Sequence, residues 1–239
     1  MFSFLKSKNQ NIIELGVLSP IEPLKNIMLP SIKNLPEWWT SFPKLPELDI
    51  PSWDSKDKVK PILTTHTCPS FIDFFKNSYV VKSPCDWLLE VEPGRGYRFS
   101  ASNSDVLGND NHSIKKQMNN FADSSLENLK LQIMSTLIST SKLTKLIMTS
   151  PIYFNPNFPL DIMPGILPLT PKHPLPLHLN YFINPNKKIK YKCREGEVIA
   201  VLYCTEKILP KIKIKDGLHY FPYQTKWKGN FINYLKNWR

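Results

Sequence analysis

The sequence predicts a mainly β fold, a β-sandwich or β-clip-like domain with few short helices. Three observations carry this. Several segments alternate apolar and polar residues with period two, as in Lys188-Ile189-Lys190-Tyr191-Lys192-Cys193 and Lys211-Ile212-Lys213-Ile214-Lys215. One uninterrupted apolar run, Val198-Ile199-Ala200-Val201-Leu202-Tyr203-Cys204, suits a strand covered on both faces. Finally, 22 prolines in 239 residues exceed the usual ~5% and forbid long uninterrupted helices. With 41% hydrophobic residues the chain is long and apolar enough to bury a core.

In chain order, residues 1–60 read as an extended Pro/Trp-rich arm, with prolines at 20, 23, 30, 36, 43, 46 and 51. Within it only Leu35-Pro36-Glu37-Trp38-Trp39-Thr40 looks helical, with Pro36 suited to a first turn. Trp38, Trp39 and Trp53 are its candidate docking residues, laid either on their own domain or on another subunit. Residues 61–225 read as a single β-rich domain. Ser70 to Phe75 forms a helical turn opened by Ser70. Tyr79 to Pro84 is strand-like. Trp87 to Glu92, the turn Pro93-Gly94-Arg95-Gly96 and Tyr97 to Ser100 make a hairpin pattern.

Residues 101–126 form a polar excursion, rich in Ser, Asn and Asp. Residues 127–149 fit either a helix or two buried strands; Thr136, Ser139, Thr140 and Ser141 weaken the helix and favour strands. Proline-rich turns return over 150–176, then His178 to Ile183 reads as a strand and Arg194 to Glu197 as a turn. Residues 226–239 predict a C-terminal helix. Trp227, Phe231, Tyr234 and Trp238 fall at i, i+4, i+7 and i+11, one aromatic docking stripe.

Several of these blocks resemble a family of uncharacterised proteins of tailed bacteriophages, especially marine ones, and of some bacteria. The matching segments are Leu35-Pro36-Glu37-Trp38-Trp39, then Thr65-His66-Thr67-Cys68-Pro69-Ser70-Phe71-Ile72-Asp73-Phe74, then Tyr79-Val80-Val81. Later come Ser150-Pro151-Ile152-Tyr153, Met163-Pro164-Gly165-Ile166, His178-Leu179-Asn180-Tyr181-Phe182 and Glu195-Gly196-Glu197-Val198-Ile199-Ala200-Val201. The chain departs from the family pattern at Leu167-Pro168-Leu169-Thr170, where acidic residues are expected. The resemblance implies a phage origin and one β-rich fold. It implies no activity.

The charge is unevenly spread. From Lys187 to Arg239, 13 Lys and Arg stand against Glu195, Glu197, Glu206 and Asp216, giving +9 of the chain's +11. Such a field attracts anionic partners. Lys188, Lys190 and Lys192 with Lys211, Lys213 and Lys215 would form a polyanion-binding surface if their strands share one sheet face. The competing explanation is that edge strands carry lysine to block edge-to-edge pairing.

Catalytic motifs are missing: there is no GxSxG, GxGxxG, P-loop or HExxH. His66 with Cys68, and His173 with His178, lack the companions of a zinc site, so no metal and no cofactor is expected. Glu90 and Glu92 point to one side of a strand and fit a solvated rim. Cys68, Cys85, Cys193 and Cys204 lack a CxxC spacing and read as unpaired thiols, although a Cys193–Cys204 bridge across a hairpin is conceivable. The first residues lack the apolar run of a signal peptide, and no stretch reaches ~18 apolar residues.

The expectation is therefore a non-enzymatic structural or assembly protein of a phage. It would act in the host cytoplasm or the virion through contacts with other virion proteins or with itself, and not at a membrane. A nucleic-acid-binding accessory protein and a small-molecule enzyme on a β scaffold are the alternatives.

Overall fold

The computed structural model describes residues 11–17, 22–41, 68–110, 127–171 and 174–216. The expected C-terminal helix, Trp53, His66 and His173 lie outside the described residues.

The chain is mainly β. Its strands are β1 (Ile12–Val17), β2 (Met28–Pro30), β3 (Ser78–Lys82), β4 (Trp87–Glu92), β5 (Gly96–Ala101), β6 (Leu107–Asp110) and β7 (Glu127–Ser139). They continue as β8 (Thr144–Thr149), β9 (Asp161–Ile162), β10 (Gly165–Leu169), β11 (Leu175–Ile183), β12 (Ile189–Cys193), β13 (Val198–Cys204) and β14 (Lys211–Asp216). Helices are short: α1 (Glu22–Lys25), a 3-10 turn (Ser31–Lys33), α2 (Glu37–Ser41) and α3 (Pro69–Lys76).

Three sheets form. The largest has the order β14-β1-β7-β11-β9, with β6 also on β7. The second runs β10-β8-β13-β3-β2, and the third β12-β4-β5. The long β7 explains how the first sheet is assembled. One flank carries β11 from Glu127 to Leu137; the other is shared by β6 at Lys130–Ile133 and β1 at Ser135–Ser139. The register on β11 shifts between Pro176 and Leu177, where proline lacks the N–H a regular ladder needs.

All three sheets contribute to one continuous core. Leu15, Ile133 and Leu179 come from the first sheet, Tyr79, Leu146 and Leu202 from the second, Trp87, Leu89 and Cys193 from the third. Hydrogen bonds cross it. Tyr181 Oη donates to Ile199 O at 2.9 Å, and Trp87 Nε1 to Ser83 Oγ at 3.1 Å. Buried polar groups at this depth must be paired or they cost stability. Around Trp87 the rings of Phe99, Phe158 and Tyr191 gather at centroid distances of 5.6–6.3 Å.

Several sequence expectations change here. Residues 12–17 and 28–30, read as part of an extended arm, are strands of the domain. β1 is an interior strand, parallel to β14 and antiparallel to β7. Its pattern is broken by Glu14 and Gly16 and is followed from Pro20 by recurring prolines. Residues 107–110, read as polar excursion, form β6; 111–126 lie outside the described residues. Ser70 does not open α3: Pro69 holds its first position and Cys68 stands at the N-cap. Residues 127–149 form two strands, as favoured over the helix. The Trp87–Ser100 hairpin forms as expected, turning through Gly94 and Gly96 at φ of 75° and 76°, which only glycine adopts without strain. Cys193 and Cys204 fall in different sheets, and all four cysteines are free thiols.

Candidate functional site

Two features stand out, an aromatic face and a polar cleft, and the 151–157 turn contributes residues to both.

The aromatic face begins with helix spacing. Phe71, Phe74 and Phe75 on α3 sit three and four residues apart, so they share one side of the helix. Phe75 is 1% exposed and is the anchor. Trp39 from α2 packs on it with ring centroids 4.7 Å apart, and Phe154 at 5.5 Å. Beneath, β3 contacts α3, and Val80 and Val201, cross-strand partners, are buried outside the main core. The helices thus roof the outer face of the second sheet.

The roof is incomplete. Phe71 and Phe74 meet Tyr153 at 5.2 Å and 5.6 Å, and Phe74 stacks parallel to Tyr203 at 6.2 Å. Tyr153 remains 39% exposed, and its neighbour Ile152 58%. Across the sheet the register places Tyr203, Ile147 and Ile166 in one row, and Ile166 is 58% exposed. Between α3 and this row runs an open groove of about 580 Å³, lined by Asp73, Phe74, Ile147, Thr149 and Tyr203. Tyr203 Oη donates to Asp73 Oδ2 at 2.6 Å, while Asn77 Nδ2 holds the other carboxylate oxygen at 2.7 Å. The bond to Asp73 raises the Tyr203 pKa.

The cleft is lined by the residues just before α2, by the turn around Phe154 to Asn157, and by the Tyr191 to Val198 segment. It has a volume of about 550 Å³, and Asn34, Lys82, Asn155, Tyr191, Lys192 and Glu197 are among its walls. Tyr191 Oη donates to Glu197 Oε2 at 2.9 Å and accepts from Asn155 Nδ2 at 3.1 Å. Asn155 Nδ2 also reaches Val198 O at 3.3 Å. Burial raises the Tyr191 pKa well above the ordinary phenol range, so its hydroxyl is a donor and not a base. The Glu197 wall is clamped: Ser83 N donates to Glu197 O, Gly196 N to Ser83 O, and Glu195 N to Asp86 Oδ1, all at 2.8–2.9 Å. Gly196 makes this turn possible with φ of 83°.

The lysine rows do not share a face. Lys188 sits in the turn before β12, whose Lys190 and Lys192 belong to the three-stranded sheet. Lys211, Lys213 and Lys215 lie on β14, the edge of the six-stranded sheet. Lys190 pairs with Glu90 at 3.0 Å and Lys215 with Glu14 at 2.7 Å. Both strands are sheet edges, where lysine discourages strand addition. Of the docking residues, Trp38 and Trp39 reach the aromatic face; Trp53, Trp227, Phe231, Tyr234 and Trp238 lie outside the described residues.

Among the described residues no group of three or more His, Cys, Asp and Glu could hold a metal. Cys68 ends at α3, and half-buried His178 lies on β11. Burial raises the pKa of Cys85, Cys193 and Cys204, which keeps those thiols protonated and poor as nucleophiles. Glu92 pairs with Arg95 at 3.2 Å, so Glu90 and Glu92 each face a cation on the rim.

Sequence reasoning missed Ile147, Ile152, Tyr153, Ile166, Asn155 and Glu197. Ile147 and Ile166 stood in view as apolar residues, but only the register makes them one row. Among the described residues no helix is long and apolar enough to cross a membrane. No protein-family model, no characterised protein and no solved structure matches this chain.

Proposed function

We propose that this chain is a non-enzymatic structural or assembly protein, acting through protein–protein contacts made by the aromatic face. One observation carries the reading. Phe71, Phe74, Tyr153 and Tyr203 form a continuous ring-to-ring surface that runs out into exposed Ile152 and Ile166. Contiguous exposed apolar surface with aromatic anchors is the composition of interface centres, where a partner's apolar segment completes the burial. The resemblance to tailed-phage proteins supports a phage particle, or its assembly in the host cytoplasm, as the setting. The partner is then another copy of the chain or another virion protein.

Polyanion binding through Lys188, Lys190, Lys192, Lys211, Lys213 and Lys215 is the weaker reading, since the two rows occupy separate sheets and two of the six cations are already paired. Light scattering of the purified protein over a concentration series, with mass spectrometry of purified particles, tests the proposal. Self-association or a fixed copy number in particles is expected. A protein that stays monomeric and is absent from particles would overturn it.

A further inference from the structure

The groove between α3 and the outer face of the second sheet has room for one more helix. Its wall is Pro69, Ser70, Asp73 and Phe74 of α3, and its floor is Ile147 and Thr149 of β8 with Tyr203 of β13. Ile166 of β10 continues the floor in the same cross-strand row. α3 itself packs against β3. Neighbouring helices pack about 8–10 Å apart, and strands lie about 4.8 Å apart. A helix beside α3 would therefore lie two strands from β3, which in the order β10-β8-β13-β3 is β8. The six residues of β8 run about 20 Å, the length of a helix of about 14 residues.

Residues 226–239 have the length and the pattern that this space requires. In a helix, Trp227, Phe231, Tyr234 and Trp238 make one stripe, which suits a floor of Ile147, Ile166 and Tyr203 beside Phe74. These residues carry Lys226, Lys228, Lys236 and Arg239 and no acid, while the charged residue on the α3 wall is Asp73. The segment can also reach. Lys211 N donates to Asn11 O, and Asn11 Nδ2 donates to Thr144 Oγ1 at 2.6 Å, so β14 and β8 begin close together. β14 then runs about 20 Å to Asp216. From there residues 217–225 span up to about 30 Å, enough to return to β8.

We infer that the C-terminal segment, residues 226–239, docks as a helix in this groove of its own chain, its aromatic stripe on the β8 floor beside α3. A tethered segment meets the groove at an effective concentration of about millimolar, which favours it over a separate protein. Docking there also gives Ile166, 58% exposed among the described residues, an apolar cover. The inference goes beyond the protein-contact reading. Ile152 and Tyr153 are not groove walls and remain for a partner.

The test uses the full chain with Cys68→Ser, which leaves only buried native thiols. Ile147→Cys with Phe231→Cys, treated with a short bismaleimide, should give an intrachain cross-link, read by mass spectrometry as a monomer with the two peptides joined. Arg98→Cys, at an exposed position on β5 of the third sheet, combined with Phe231→Cys should give at least tenfold less. A second measurement needs no added cysteine. Ile147→Ser and Phe231→Ala should each lower the urea midpoint, and the double variant should lower it by clearly less than the sum of the two. Equal cross-linking from Arg98→Cys, products only between chains, or additive midpoint shifts would each overturn the inference. Products only between chains would do so while leaving the protein-contact reading intact.

Discussion

The Trp38 indole donates its N–H to the backbone carbonyl of Tyr153 at 2.6 Å, across 115 residues of chain. This bond ties α2 to the turn that carries the most exposed ring of the aromatic face. It also means that the Trp-Trp pair, legible in the sequence as a docking element, docks within its own domain through Trp39 while Trp38 braces the outer surface.

Burial separates two roles among these aromatics. Phe75→Ala should cost about 3–5 kcal/mol, as core aromatic truncations do. Tyr153→Ala should leave stability within about 1 kcal/mol, because the ring is partly solvated. Chemical denaturation measures both. If the face binds a partner, Tyr153→Ala with Ile152→Ser should nevertheless weaken association at least tenfold, read by light scattering.

Removal of residues 1–17 should abolish cooperative unfolding. β1 lies between β14 and β7, and Ile13 and Leu15 are fully buried. Its loss exposes two strand edges and empties part of the core. Leu15→Ala gives a milder check and should cost about 2–5 kcal/mol. A truncated chain that melts in one sharp transition at the parent temperature would show β1 to be dispensable.

The thiols should divide one against three. Cys68 is half-buried, whereas Cys85, Cys193 and Cys204 are buried with raised pKa values. At pH 8, Ellman's reagent should titrate one thiol quickly in the native protein and all four in denaturant. Cys68→Ser should remove the fast phase.

Alkaline pH should destabilise the fold through its tyrosines. Burial raises the pKa of Tyr79, Tyr181 and Tyr191 above the ordinary phenol value of about 10. Below that value both folded and unfolded chains hold these protons, and the contribution is complete. Above it the unfolded chain releases them while the fold does not, so stability falls as pH rises. The denaturation midpoint should therefore be level from pH 7 to 9 and drop by pH 11. Tyrosinate absorbance from these residues should appear only with unfolding.

What the sequence disclosed was local. Alternation marked β12 and β14, and the continuous apolar run marked β13, because each pattern reports the faces of a single strand. Prolines misled in one place: Ile12 to Val17 carries three β-branched residues but also Glu14 and Gly16, and the prolines that begin at Pro20 suggested one arm over residues 1–60. Partner choice was not legible. Nothing local indicates that Lys192 and Lys213 belong to different sheets, or that Asn155 meets Tyr191 36 residues later. Those facts depend on register between distant segments, and register is set by the packed core as a whole.

The parallel pairing of β1 with β14 also orders events in time. On a ribosome β1 emerges first and can meet β7 once about the first 140 residues are out. Its other flank must wait for residues 211–216. Through that interval a hydrophobic strand offers an open row of backbone donors and acceptors, the condition in which nascent chains pair with the wrong neighbour. When β14 arrives it replaces that apolar edge with one studded by Lys211 and Lys213. Synthesis thus ends the exposed interval by adding a charged margin, and slow translation across the stretch between β7 and β14 would lengthen the period of risk.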